Sequence, residues 1–232
     1  LYYYQIMSVN NNIEKNHGSA ERIEKEIEDN DFNKIIKWVN EIKDEEKRDF
    51  ALNELKKVRE SIPNLAIYLW YSNGTIMAML QEIMYMYQFI NPPKITNEKG
   101  NKICTIITLF QCLAIHPQTR NEFLKARLPI FLYPFLNTVN KSNIYEYLRL
   151  VALGVISALV KVNNPEAISF LLDTEIVPLC LKIIDRGSEL SQTISCFIIE
   201  RIISNEGGFK FICQKEERLN ALFSVLGKMN KN

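Results

Sequence analysis

Apolar residues recur along this chain at helical spacing, in groups cut off by proline, glycine or asparagine. Phe32, Ile35, Ile36, Val39 and Ile42 form the first group, with Asp31 placed to cap it. Ala51, Leu52, Leu55 and Val58 continue the period on a second, charge-rich helix. Pro63 suits the first turn of a short third helix ending near Trp70. After Gly74, the residues Ile76, Leu80, Ile83 and Tyr87 define a long helix that Asn91-Pro92-Pro93 stops. A polar loop is expected from Lys94 to Asn101, then a helix carrying Ile103, Ile106, Ile107, Phe110, Leu113 and Ala114 up to His116-Pro117.

From there the order repeats. A short helix opens near Thr119, another begins at Pro129, and Tyr145 to Val162 is predicted as a long helix ended by Asn163-Asn164-Pro165. A short helix through Phe170, one from Ile176 to Arg186, and a long one from Gly187-Ser188 to Ile203 follow, and Asn205-Glu206-Gly207-Gly208 is the last clear break. The segments opening at Ile62-Pro63, Leu128-Pro129 and Val177-Pro178 begin similar apolar runs. Aligning the breaks at residues 116, 164 and 205 gives offsets of 48 and 41 residues. That spacing matches three-helix armadillo or HEAT-like units of about 40 to 47 residues, with a plain helical bundle as the bland alternative. No stretch alternates with period two, so the chain reads as all-α. A repeated helical unit buries its apolar face only by stacking on neighbours, and the resulting solenoid offers long faces suited to binding.

Composition changes this picture little. The 232 residues are 47% apolar and 24% charged, ordinary for a soluble globular protein. With 28 basic and 27 acidic side chains the formal charge is +1, so no global field draws nucleic acid or an anionic membrane. Cys104, Cys112, Cys180, Cys196 and Cys213 sit in apolar helical contexts without a C-x-x-C pair, and are expected as reduced core thiols. No apolar run approaches a membrane span, and no membrane partner is expected. The chain opens at Leu1, so Met7 is a candidate natural start, and residues 1–30 read as a flexible lead-in to a domain over 31–232.

Chemistry finds little purchase. His17 and His116 have no second ligand at metal spacing, and His116 is expected to satisfy backbone groups at a helix end. No glycine-rich phosphate loop, nucleophile elbow or nucleophile–base pair occurs, so neither enzyme, metal nor cofactor is expected. Basic residues Arg120, Lys125, Arg127, Lys141, Arg149 and Lys161 accompany Phe131, Tyr133 and Tyr147, which would suit single-stranded nucleic acid in a basic cleft as an alternative function or a weak accessory one. Three stripes carry the surface case. Tyr147, Leu150 and Gly154 share one helix face, as do Leu190, Thr193 and Ile194, and Tyr71, Met77 and Met84 form a Met-rich third. For the first two, periodicity alone favours tight packing inside the protein over a partner.

Longer blocks carry a resemblance. Gly74-Thr75-Ile76, Ile90-Asn91-Pro92-Pro93, Phe131-Leu132-Tyr133-Pro134-Phe135-Leu136, Glu146-Tyr147-Leu148-Arg149-Leu150 and Gly187-Ser188-Glu189-Leu190-Ser191 are among them. Together they resemble the Rcd-type (required for cell differentiation) armadillo-repeat family, from about Asp31 to Met229. That family is the conserved armadillo subunit of the Ccr–Not complex, which shortens mRNA poly(A) tails. The resemblance implies a right-handed α-solenoid of armadillo-type three-helix repeats, about five of them by the repeat length. It implies a non-catalytic cytoplasmic adaptor, also found in P-body-like granules and the nucleus, that docks on the Not scaffold and recruits short amphipathic peptide motifs of RNA-associated regulators. It leaves homodimer formation open.

Residue by residue, the implied peptide groove is Tyr147, Leu150, Gly154, Leu190, Thr193 and Ile194. The implied scaffold face is Tyr71, Asn73, Met77 and Met84, matched in place more than in residue type. A tryptophan pocket of some members maps to Glu216 and Arg218; Glu216 replaces an aromatic wall with a charge, which argues against that pocket here. The family runs on past this point, so the last repeat is expected to be missing from residues 31–232.

Overall fold

The computed structural model describes residues 32–162 and 164–229. The expected lead-in over 1–30, Met7 and the Asp31 cap lie outside them. Among the described residues no strand occurs, and every regular element is helical. Residues 32–41 form α1. There follow α2 (Arg48–Val58), α3 (Leu65–Tyr71), α4 (Thr75–Met86), α5 (Asn97–Ile115), α6 (Pro117–Lys125), α7 (Tyr133–Leu136) and α8 (Asn143–Lys161). The remainder are α9 (Pro165–Leu172), α10 (Ile176–Arg186), α11 (Glu189–Ile203), α12 (Glu206–Cys213) and α13 (Glu216–Met229).

Helix starts follow local chemistry. Side chains of Thr96, His116, Asn164, Ser188 and Asn205 accept from the first backbone N–H groups of α5, α6, α9, α11 and α12. His116 therefore does what its position foretold: Nδ1 accepts from Gln118 N at 3.3 Å. The polar stretch expected as a loop to Asn101 is helical from Asn97, because the Thr96 cap starts α5 early. Gly100 within that stretch is needed for packing, since a Cβ there would stand 2.3 Å from Ile144. Pro63 precedes α3 rather than entering its first turn. At Pro129 the chain makes a 3-10 helix, Leu128–Leu132, before the single turn of α7.

The elements stack like on like. The short helices α3, α6, α9 and α12 touch in succession. So do α4, the 3-10 helix with α7, then α10 and α13, while α2, α5, α8 and α11 form a third row. The α5–α8 and α8–α11 contacts are the most extensive of that row. This is the arrangement of an α-solenoid, with one continuous core running between the rows. Phe110 of α5 and Phe123 of α6 meet edge to face at 5.7 Å in its middle, both fully buried.

α8 corrects the expectation about membrane-length runs. At 19 residues and a mean hydropathy of 1.4 it is long and apolar enough to cross a membrane, but 61% of that stretch is buried inside the protein. The apolar side chains are consumed between α5 and α11, which is why the helix is so hydrophobic. The cysteines divide as well. Cys104 and Cys180 are buried, Cys112 and Cys196 half-buried, and Cys213 is exposed at the end of α12. Burial pushes the Cys104 and Cys180 thiols up to about 12, which makes them poor nucleophiles.

Candidate functional site

α8 buries Leu148, Ala152, Val155, Ile156 and Leu159 on the core side. At spacings of three and four this leaves Tyr147, Leu150, Gly154, Ser157 and Lys161 on the other side, all at least partly exposed. α11 does the same with Leu190, Thr193, Ile194 and Phe197. Because α8 and α11 pack side by side, the six residues of the expected groove lie on two adjoining helices. Tyr147 is 40% and Leu190 58% exposed, and it is their grouping with Leu150 and Ile194 on adjoining helices, more than either exposure alone, that marks the face. Thr193 is satisfied within its own helix, its Oγ1 donating to Glu189 O at 2.9 Å.

Gly154 bears on whether this face is packed inside the protein or open. Tight internal packing, the reading that periodicity favoured, is overturned by what surrounds the glycine. A Cβ at Gly154 would find only the Gln111 side chain, at 3.5 Å, an ordinary contact. At Gly187 and Gly208 it would stand 2.6 Å from Ile183 O and 1.9 Å from Ile202 O. Those glycines are required by the fold and Gly154 is not. A mid-helix glycine costs about 1 kcal/mol relative to alanine, and no close contact of the described residues requires one here. Its carbonyl is engaged within the protein: Gln111 Nε2 donates to it at 3.2 Å and Ser157 Oγ at 3.0 Å.

Sequence reasoning missed two members of this face. Phe197, seven residues beyond Leu190, was legible from the period. Gln111 was not, because it reaches Gly154 from α5 across 43 residues. Beyond Gln111 the face borders a cleft of about 420 Å³ lined by Ile62, Cys112, Ile115 and the ends of α2 and α3.

The other expected sites separate from this one. Tyr71 ends α3, Asn73 lies in the turn, and Met77 and Met84 fall on one face of α4. All four are exposed, Tyr71 by 68%, Met77 by 57% and Met84 by 41%. Neighbouring Tyr85 is exposed too, edge-on to Phe89 at 5.4 Å. Arg218 lines a cleft of about 450 Å³ with Pro178, Leu181 and Glu217, its guanidinium 3.5 Å from the Phe211 ring centre. Glu216 is exposed and does not line that cleft.

The cations proposed for nucleic acid do not converge. Arg120 is buried and donates to the carbonyls of Ala114 and Ile115 at the end of α5. Arg149 is buried, paired with Glu146 and donating to Thr138 O and Asn140 O. Arg48 repeats the device with Ile42 O and Glu82. Each buried guanidinium is spent on backbone carbonyls at helix ends and in loops. Lys125 is paired with Glu122, and Arg127, Lys141 and Lys161 remain exposed on separate elements. No group of acidic, histidine and cysteine side chains fit to hold a metal occurs among the described residues.

Comparison with known sequences gives a consistent result. A family model described as "Cell differentiation family, Rcd1-like" matches residues 38–232. The chain is 48% identical over 195 residues to the cell differentiation protein rcd1 of Schizosaccharomyces pombe, covering 84% of this chain and 69% of that protein. It is 42% identical over 195 residues to protein CAF40 of Saccharomyces cerevisiae, covering 84% of this chain and 52% of that one. The chain thus spans about half the length of the second relative.

Proposed function

The chain belongs to the Rcd1-like cell differentiation family, and on that premise we propose that it is a non-catalytic adaptor of the Ccr–Not mRNA deadenylase. In this reading residues 31–232 are a right-handed armadillo-type domain working in the cytoplasm. The face of α8 and α11 receives short amphipathic peptide helices from RNA-associated regulators. The face of α3 and α4 docks on the Not scaffold, so that bound regulators bring their mRNAs to the nucleases.

The observation that carries the peptide reading is Gly154. A helix laid against Tyr147, Leu150, Leu190 and Ile194 buries apolar anchors worth about 1.5–3 kcal/mol each when fully covered. Its backbone can approach closely only where α8 has no side chain, and Gly154 supplies that gap without any need inside the fold. Thr193 donates its hydroxyl to its own helix, which leaves that oxygen as an acceptor towards the ligand.

Gly154→Trp is the test. The variant should fold, because a side chain at Gly154 meets only the end of the Gln111 side chain, and should lose motif peptides while keeping the Not scaffold segment. A variant that binds the peptides as tightly as the parent would remove the assignment.

A further inference from the structure

At one edge the α8–α11 face gives onto a cleft of about 740 Å³, between the loop before α8 and the turn joining α10 to α11. Asn143, Glu146 and Ser188 line it, so it adjoins the first turns of α8 and α11, next in sequence to Tyr147 and Leu190. Its charged side chains are Lys141, Glu146, Arg149, Lys182, Asp185 and Arg186. Both carboxylates are already engaged. Glu146 takes Arg149 and the Ser188 hydroxyl, and Asp185 takes Arg186 Nε at 3.2 Å.

Two cations lack a counter-charge. Lys182 Nζ donates to Asn137 O and Oδ1 at 3.2 and 2.7 Å, both uncharged acceptors. Lys141 is exposed and forms no ion pair among the described residues. The start of α8 adds partial positive charge, since Ser142 makes no capping hydrogen bond there.

We infer that the peptide held by the α8–α11 face carries acidic residues on the flank that passes over this cleft. The inference rests on the peptide reading above and adds a specificity determinant to it. Lys141 and Lys182 select the acidic flank, and the apolar stripe supplies affinity. A nucleic-acid strand fits less well, because phosphate tracking needs a run of cations. The neighbouring Arg149 is buried among carbonyls instead.

The test uses a display library of random short peptides selected on the parent chain, with Gly154→Trp as counter-selection. Peptides lost on Gly154→Trp are expected to be enriched in Asp and Glu at one flank. For a selected peptide, changing flank Glu to Gln should weaken binding to the parent about fivefold, two exposed ion pairs being worth roughly that much. The difference should vanish at high salt and in a Lys141→Ala/Lys182→Ala variant, which removes both cations that lack an ion pair. Gly154-dependent peptides with no flank preference, or a preference that survives in the double variant, would overturn the inference alone. Displacement of the acidic flank by single-stranded RNA would reassign the cleft to nucleic acid. A selection yielding no Gly154-dependent peptide would instead overturn the peptide reading itself.

Discussion

Two exposed apolar faces of this molecule are built in opposite ways. The α3–α4 face presents Tyr71, Met77 and Met84, with unbranched thioethers on a single helix that can repack around different shapes. The α8–α11 face sets branched or ring side chains on two packed helices around a bare stretch of backbone at Gly154. The first suits a broad, forgiving contact with one permanent partner. The second is a fixed relief that rewards a backbone of the right curvature and penalises any added atom. In the proposed adaptor the two faces act independently, with shape selectivity in the glycine and contact area from the methionines.

The comparison can be broken most sharply at Gly154. Gly154→Trp should cost on the order of a hundredfold in peptide affinity, the scale of a filled hot-spot pocket, with scaffold binding unchanged in the same titration. Met77→Asp combined with Met84→Asp should do the reverse, weakening a pull-down of the scaffold segment about tenfold or more and sparing the peptide. Glycine-to-alanine changes sharpen the contrast through stability. Gly208→Ala drives its Cβ against the Ile202 carbonyl and should destabilise by about 1–3 kcal/mol in denaturant unfolding. Gly154→Ala meets only Gln111 and should stabilise by about 0.5–1 kcal/mol.

The smallest expected effect is on pH. Burial raises Cys104, Cys180, Tyr87 and Tyr133 to about 12, from ordinary values of 9.0 and 10.0. Their folded-state values are raised, so the stability they contribute is complete below pH 9 and is lost as pH climbs towards 12. Melting temperature should therefore fall steadily across that window. None of these four residues is on the α8–α11 face, so the decline should be nearly the same in Gly154→Trp.

Much of the fold was legible because stacked helices repeat their signals. The breaks at His116-Pro117, Asn164-Pro165 and Asn205 each proved to be a cap followed by a short helix. The helix over 97–102 was hidden because a polar first turn looks like a loop until its cap is identified. Tyr147, Leu150 and Gly154 could be placed on one face from spacing alone. Whether that face was inside or outside could not, since the same period serves a core and a groove. Arg120 and Arg149 misled for a related reason: sequence registers a charge but not the backbone carbonyls that fold around it. The pairing of α8 with α11, and the reach of Gln111, are tertiary facts with no local trace.

Calorimetric titration of one regulator-derived motif peptide into the parent chain and into Gly154→Trp, each saturated with the Not scaffold segment, tests the central claim most directly. Binding to the parent and its loss in the variant, with the scaffold still attached to both, is the predicted result. Equal affinity for the two chains would contradict it.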